Sequence, residues 1–252
     1  MKISIITVCF NAEATIANCI RSVEEQSHGN REHLILDGAS TDDTLTVANS
    51  MAGERTRVVS EPDEGVYFAL NKAIQMASGD VIGFLHADDV FYSRDVLASV
   101  SRALESSETE GCYSDLIYVK QGAPDEVVRY WKSEPFQPGT FKRGWMPAHP
   151  TFYARKEVYE KYGDFDTTMK IGADWDFLYR IFEEHRIKTT YVPETWVRMS
   201  LGGMSNRNWR NIAQNNFETW KFIRKRIGFG PSLLFPPLKW AHRFRQFRRR
   251  PE

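Results

Sequence analysis

The sequence predicts an α/β fold with a mainly parallel β-sheet covered by helices on both faces. In roughly the first 90 residues, β-rich runs alternate with helical apolar stripes at the spacing of βαβ units. Each of these β-rich runs ends in polar or acidic residues, as parallel strands do where their loops bind ligands. The chain has 252 residues, of which 42% are hydrophobic and 26% charged, and this suits one large core or two unequal ones.

Four strands and the helices between them are predicted in the first half. The strands are expected at 3–9, 33–36, 57–60 and 81–85, where aliphatic and β-branched residues cluster. Helices follow because apolar residues recur there at intervals of three and four, and Thr41-Asp42-Asp43 offers capping side chains for the second helix. The apolar stripes are Ile16, Cys19, Ile20 and Val23 in the first helix, and Val66, Ala69, Leu70, Ala73 and Ala77 in the third.

The second half is less regular. Residues 174–185 predict a helix that is apolar nearly all round and therefore buried. The other expected elements are a helix at 97–104, a strand at 112–119, loops and short strands at 122–150, strands at 187–192 and 196–199, and a long helix at 206–227.

Charge and cysteine content restrict the class of partner and the cellular setting. The 33 basic and 33 acidic side chains balance, which argues against nucleic-acid binding through a global basic field. No uncharged apolar stretch reaches the ~20 residues of a membrane span, and the amino terminus lacks the features of a signal peptide. Three widely spaced cysteines without a CxxC motif fit reduced thiols. We therefore expect a cytoplasmic enzyme.

The strongest chemical signal is the adjacent pair Asp88-Asp89 at the end of the fourth strand. Two neighbouring carboxylates repel each other unless a cation neutralises them. A hard divalent ion such as Mg²⁺ or Mn²⁺ binds carboxylate oxygens and keeps positions open for substrate phosphates. The alternative is that the pair caps a helix beginning near Ser93. Three other polar strand ends beside it favour the metal.

Four motifs occur in order along the first 90 residues and together resemble the family 2 glycosyltransferases, in particular bacterial enzymes of polysaccharide biosynthesis. The resemblance implies a GT-A fold, a UDP- or GDP-sugar donor and inversion at the anomeric carbon. One position departs from the family, because His86 stands where Asn, Asp or Ser is more common. The motifs are Ile-Ile-Thr-Val-Cys-Phe-Asn-Ala-Glu at 5–13, Asp-Gly-Ala-Ser-Thr-Asp-Asp-Thr at 37–44, Asp-Glu-Gly-Val-Tyr-Phe-Ala-Leu-Asn-Lys-Ala at 63–73, and Gly79-Asp80 through His-Ala-Asp-Asp at 86–89.

The same resemblance implies roles for individual residues on the donor side. Asp89 is expected to be the direct metal ligand, and Asp88 to face the ribose and diphosphate. The carboxylate of Asp37 can accept hydrogen bonds from a ribose hydroxyl or a base N–H. The residues expected on the nucleotide are Thr7, Cys9, Asn11, Asp37, Asp63 and Asp88, with the backbone of 7–10.

On the acceptor side, Ile171-Gly172-Ala173-Asp174-Trp175-Asp176 stands where the family shows its catalytic Glu-Asp, with Ala173 replacing the Glu. The resemblance therefore implies that Asp174 is the general base. The alternative is that an aspartate here only caps the helix that follows. The secondary candidates are Asp176 as base, and His149 and Asp115 on the acceptor side.

A basic tail ends the sequence. Trp240, Phe244 and Phe247 recur at i, i+4 and i+7 among several arginines. Such a pattern predicts a helix lying on an anionic membrane surface, and the prolines at 231, 236 and 237 are expected to separate it from the preceding helix. A solvated end, or an arm packed on its own body or on a second subunit, would have the same composition.

The resemblance implies an inverting, metal-dependent glycosyltransferase acting on a saccharide hydroxyl, with a lipid-linked acceptor, and the basic tail places it at the inner face of the cell membrane. The alternatives are a sugar nucleotidyltransferase, whose expected Gly-rich basic loop is missing after the first strand, and a non-catalytic nucleotide-sugar-binding or membrane-scaffold protein. The predicted domains are a catalytic domain at 1–205, comprising a donor half at 1–110 and an acceptor half at 111–205, and C-terminal helices at 206–252.

Overall fold

The computed structural model describes residues 1–120, 122–200, 220, 223–226 and 228–248. The helix predicted at 206–227 lies largely outside the described residues. Within them, nine strands form one sheet. Eight of them follow the order β3-β2-β1-β4-β8-β6-β9-β5, and β7 pairs with the second half of β6, beyond the residues that pair with β8. The strands are β1 (Ile3–Cys9), β2 (Arg31–Asp37), β3 (Thr56–Ser60), β4 (Val81–Phe84), β5 (Asp89–Phe91), β6 (Gly111–Lys120), β7 (Ala123–Trp131), β8 (Tyr153–Arg155) and β9 (Thr189–Ser200).

Helices cover the sheet, so the predicted α/β class is confirmed. The first helix buries the four residues of its predicted stripe, because a helix with apolar residues on one face gains most by turning that face to the core. The predicted helix over 174–185 is also present and buried, but its second half winds into a π-helical turn at Arg180–Glu184. The helices are α1 (Ile16–Glu24), α2 (Thr44–Met51), α3 (Val66–Met76), α4 (Val96–Ala103), α5 (Lys156–Tyr162), α6 (Ala173–Tyr179) and a C-terminal helix (Phe229–Arg248).

The first four strands in the chain are parallel and in register. Cys9 on β1 lies opposite Asp37 on β2, and Asp37 lies opposite Ser60 on β3. Because β4 also runs parallel to β1, the carboxyl ends of these strands meet at one edge of the sheet. The expected convergence of the polar strand ends is therefore confirmed.

The chain leaves the parallel half after β4. The short strand β5 begins at Asp89 and pairs antiparallel with β9 at the far edge of the sheet. The next helix, α4, begins at Val96 after Asp95. The acidic pair at 88–89 is therefore not the cap of this helix, and that alternative is wrong. The pair instead occupies the crossover between the two halves of the sheet.

An aromatic cluster packs against α6. The ring of Phe141 is fully buried, and it lies 5.8 Å from Phe182 and 6.1 Å from Trp175, measured between ring centroids. Such edge-to-face and tilted aromatic pairs contribute about 0.5–1.5 kcal/mol each beyond their burial. The cluster fixes α6, which carries Asp174, against the body.

The C-terminal helix begins after Gly228, whose φ of 83° ends the preceding helical segment. Pro236 and Pro237 lie inside the helix, so the expectation that these prolines separate the tail is wrong. Glycine reaches a left-handed backbone without a Cβ clash, and the chain breaks there instead. No helix in the described ranges is long and apolar enough to cross a membrane.

Contacts through Phe235 and Gln246 are among those that dock this helix on the body. The ring of Phe235 lies 5.9 Å from that of Trp175, and Arg129 donates from Nε to Oε1 of Gln246 at 2.6 Å. The tail is therefore packed partly on its own domain, which was one of the arrangements that its composition allowed.

Gly83 tests the packing of the sheet core. A Cβ at this position of β4 would lie 2.0 Å from Cε1 of Tyr153 on β8, and Tyr153 is fully buried. We expect Gly83→Ala to lower the free energy of unfolding by at least about 1–3 kcal/mol, because the ring has no room to move. Urea unfolding followed by circular dichroism measures this. Gly29→Ala, where a Cβ meets nothing within 4 Å, is the matched control, and equal stability of the two variants would contradict this account of the core.

Candidate active site

The loop after β2 is built around the carboxylate of Asp37. This side chain is buried, and it accepts hydrogen bonds from the backbone N–H of Ser40 at 3.1 Å, from the hydroxyl of Ser40 and from the hydroxyl of Ser60 at 2.6 Å. Ser40 in turn accepts a bond from the backbone N–H of Asn11 at 2.8 Å. Asp37 therefore orders the loop into a fixed shape at the edge where the strands end.

Asn11 joins the first loop to the second. Its backbone has a φ of 50°, a left-handed conformation that asparagine tolerates better than most residues. Its Oδ1 accepts a hydrogen bond from the backbone N–H of Thr41 at 2.9 Å. The side chain of this predicted nucleotide residue thus holds two loops together.

Thr7 and Cys9 are buried in β1. The hydroxyl of Thr7 lies 2.9 Å from Nε2 of His33 and donates to the carbonyl of Leu85 at 2.8 Å. Burial, and then the charge of Asp37, raise the pKa of the Cys9 thiol to about 12, so it stays protonated. The side chains of these two predicted residues hold strands together, and only their backbone remains for a ligand.

Phe10, Gly38 and Asp63 form the open part of this edge. Phe10 follows a buried strand yet is 56% exposed. A Cβ on Gly38 would lie 2.7 Å from Oδ2 of Asp63 and 3.6 Å from the ring of Phe10, so glycine allows this close approach. Only the backbone of Phe10 was expected at the nucleotide. The feature of the sequence that could have indicated an exposed Phe10 ring is its position directly after an apolar strand.

Asp89 is fully buried, and neither of its carboxylate oxygens has a hydrogen-bond partner among the described residues. Burial, and then the charge of Asp88, raise its pKa well above the usual range, while the backbone of Ser200 offsets part of the shift. Asp88 is half-buried. A buried charge without a partner is costly, so Asp89 is the carboxylate of this loop to test as a cation ligand.

The fit to a divalent metal ion can be tested further from the chemistry of the neighbouring side chains. In the described part of the chain, no group of three or more His, Cys, Asp or Glu side chains could hold a metal by itself. Mg²⁺ and Mn²⁺ are commonly held by one or two carboxylates together with substrate phosphates and waters. Asp89 with its neighbour Asp88 fits that mode of binding and does not fit a closed protein cage.

Asp174 lies in the first turn of α6 and is 28% exposed. Its Oδ2 is 3.3 Å from Nδ1 of His149, and Nε2 of His149 is 3.4 Å from Nε2 of His86. Burial, and then the charge of His149, lower the pKa of His86 to about 4. His86 precedes the acidic pair on the same loop. The predicted base is thereby brought together with the predicted metal site through two histidines.

Tyr67 on α3 also contacts this segment. Its hydroxyl accepts hydrogen bonds from the backbone N–H groups of Gly172 at 3.0 Å and Ala173 at 3.2 Å. Burial, and then the charge of Asp174, raise the pKa of this hydroxyl, so it remains protonated. Tyr67 belongs to the third of the four sequence motifs, but the spacing of that motif does not predict a contact with Gly172 and Ala173, which are 105 and 106 positions away.

Two secondary candidates are occupied by structural contacts. Asp176 is buried, 3.2 Å from Arg180 and 3.0 Å from Arg226. Asp115 is also buried and accepts bonds from the backbone N–H of Ser133 at 2.7 Å and the hydroxyl of Tyr191 at 2.9 Å, and from Tyr130. Because their charge or hydrogen-bonding capacity is already used, we do not assign either residue to the chemistry.

Comparison with known proteins agrees with this geometry. Residues 4–173 match the profile of the family described as glycosyl transferase family 2. A "PGL/p-HBAD biosynthesis glycosyltransferase" of Mycobacterium bovis (strain BCG / Pasteur 1173P2) is 32% identical over 207 residues, which are 81% of this chain and 78% of the relative.

Two solved structures share the fold. The mannosyltransferase PcManGT from Pyrobaculum calidifontis, in complex with GDP-Man and Mn²⁺, superposes with a TM-score of 0.66 at 21% identity, over 96% of this chain and 69% of the other. S. aureus TarS 1–349 in complex with UDP-GlcNAc superposes with a TM-score of 0.67 at 15% identity, over 91% and 73%. The predicted GT-A fold is confirmed, and the chain belongs to glycosyl transferase family 2.

Proposed function

We propose that this glycosyltransferase moves a sugar, with inversion, from a UDP- or GDP-sugar to a hydroxyl of a lipid-linked saccharide, and that it uses a divalent metal. One observation carries the proposal: His86, three residues before Asp89, lies 3.4 Å from His149, which lies 3.3 Å from Asp174. The loop that carries Asp89, whose carboxylate has no hydrogen-bond partner among the described residues, thereby approaches the helix that carries Asp174. A donor site and a base close together are what direct transfer between two substrates requires. Membership of the family argues against the nucleotidyltransferase alternative.

The nucleoside is assigned to the edge formed by β1 and β2. The exposed ring of Phe10 offers a face on which a base can stack. The carboxylate of Asp63 and the loop ordered by Asp37 and Asn11 present oxygens and backbone groups to ribose hydroxyls and base edges. The nucleotide-sugars bound in the two neighbouring structures support a donor of this class.

Asp89, with Asp88 beside it, would hold Mg²⁺ or Mn²⁺, which neutralises the charge that develops on the leaving diphosphate. Residues of this chain bind and orient the donor. Asp88 is half-buried beside the ligand carboxylate, and we assign it to the ribose and diphosphate side. We assign Asp63, and the loop that Asp37 orders, to the nucleoside.

Asp174 is the proposed general base. Its carboxylate is partly exposed at the end of a buried helix, where it can accept the proton of an acceptor hydroxyl. Attack by that hydroxyl from the face opposite the diphosphate inverts the anomeric configuration. The aromatic cluster around Phe141 keeps α6 in place during this step.

The C-terminal helix is proposed to contact an anionic membrane surface. One side packs on the body through Phe235 and Gln246. Trp240, Phe244 and Phe247 are 54%, 65% and 46% exposed. The sequence from 221 to 252 contains ten Lys or Arg residues and one acid, so the exposed aromatic residues lie in a strongly basic segment. Aromatic anchors with basic neighbours suit the headgroup region of an anionic bilayer, where a lipid-linked acceptor would be found.

The base assignment predicts the effect of Asp174→Asn. We expect the rate of sugar transfer to fall about 10²–10⁴-fold, because the amide cannot accept the hydroxyl proton. Stabilisation by the nucleotide-sugar should persist, since the donor side is unchanged. Transfer assays and thermal shifts measure the two quantities. Asp125→Asn, at an exposed position of β7, is the control, and transfer at the wild-type rate by Asp174→Asn would refute the role.

The metal assignment predicts two opposite effects of Asp89→Asn. Without ligands in EDTA, the variant should unfold on the order of 3 °C higher, because a buried acid that has no hydrogen-bond partner among the described residues is replaced by an amide that carries no charge. With Mn²⁺ and UDP or GDP, the stabilisation shown by the wild type should disappear. Differential scanning fluorimetry measures both. A metal-dependent shift of wild-type size in the variant would exclude Asp89 as ligand.

The membrane assignment predicts the effect of replacing Trp240, Phe244 and Phe247 together by serine. Co-sedimentation with vesicles containing phosphatidylglycerol should fall at least about tenfold, since the buried apolar area is lost. Phosphatidylcholine vesicles, which lack the negative charge, should bind both proteins weakly. An unchanged thermal midpoint shows that the variant is folded, and equal sedimentation with the anionic vesicles would contradict the proposal.

A further inference from the structure

We propose that His149 is a positioning residue that sets the orientation of the Asp174 carboxylate. The inference rests on the proposed role of Asp174 as general base. It assigns to His149 no contact with the acceptor or with a metal, but control over which oxygen of Asp174 meets the acceptor hydroxyl.

The first step is the contact between His149 and Asp174. Nδ1 of His149 lies 3.3 Å from Oδ2 of Asp174, and the two side chains are 29% and 28% exposed. An imidazole N–H in this position can donate to the carboxylate oxygen. Nδ1 of His149 faces Oδ2, and we assign Oδ1 to the acceptor hydroxyl.

The second step is the anchoring of His149 itself. It begins a 3₁₀ turn, His149–Thr151, in which Pro150 restricts the backbone. The hydroxyl of Thr151 lies 2.9 Å from the carbonyl of Ser114 and 2.7 Å from that of Ala148, and it accepts a bond from the backbone N–H of Ser114 at 3.1 Å. A histidine on a turn fixed to the sheet in this way holds its ring in a defined place.

The third step is the pairing of the two rings. Nε2 of His149 lies 3.4 Å from Nε2 of His86, and the rings are edge-to-face with centroids 5.6 Å apart. The ring of His149 therefore has a neighbour at Nε2 as well as at Nδ1, and its position is fixed from both sides.

Charged and titratable groups from several elements surround His86, His149 and Asp174. Asp88 acts on His86 from the same loop. Tyr67 on α3 and Tyr118 on β6 lie within electrostatic reach of Asp174. Tyr67 fixes the backbone before Asp174 through Gly172 and Ala173, whereas His149 contacts the carboxylate itself. Main chain and side chain of the base are thus held by separate residues.

The test compares three substitutions at one position. Asparagine can place an amide N–H near the position of Nδ1, whereas glutamine places one near Nε2 and alanine places none. We expect His149→Ala and His149→Gln to lower kcat for transfer about 10–100-fold, because a displaced base loses alignment, and His149→Asn to recover most of that loss. KM for the donor and the thermal shift by UDP or GDP should stay at the wild-type values in all three.

His185→Asn is the matched control, because His185 is exposed and its ring stacks on Tyr162; kcat should not change.

The double variant Asp174→Asn with His149→Ala should be no slower than Asp174→Asn alone, since His149 acts through the base. The inference fails if His149→Gln is as active as His149→Asn. It also fails if the double variant loses the product of the two single-variant losses in kcat. The base assignment stands in both cases. If Asp174→Asn transfers normally, the proposed function itself fails.

Discussion

The in-register pairing of the parallel strands is the constraint on which the site depends. Thr7 on β1 reaches both neighbours at once, with its hydroxyl near His33 of β2 and bonded to the carbonyl of Leu85 after β4. Because the side-chain period of a strand is two, a slip of one residue would turn every side chain to the other face. The buried hydroxyl, satisfied only in this register, therefore helps to bring the ends of β1, β2 and β4 level.

Polar groups at this edge divide into two kinds. Those of Asp37 and Asn11 are satisfied within the protein and give the loops their shape. The carboxylate of Asp89 is buried and has no partner in the described part of the chain. Most buried polar groups in native proteins are paired, so this exception distinguishes Asp89 from its neighbours. The edge thus combines loops whose polar groups are satisfied internally with one buried carboxylate that is not satisfied by the described residues.

The acceptor half is held by a different kind of interaction. Aromatic packing around Phe141 positions α6, and the C-terminal segment clamps the same helix through Phe235 against Trp175 and through Arg226 with Asp176. The element that presents aromatic side chains to solvent is therefore connected mechanically to the helix that carries Asp174.

The sequence by itself determined the α/β class, the four parallel strands, the apolar face of α1 and the donor-side motifs, because periodicity and strand-end polarity are local properties. It also pointed to Asp89 and Asp174 as the acids to consider. Only the tertiary structure decided that Asp115 and Asp176 are occupied, that Pro236 and Pro237 lie within a helix, and that His86 meets His149. These outcomes depend on contacts between residues tens of positions apart, and no local pattern records which side chains the packing of distant elements brings together.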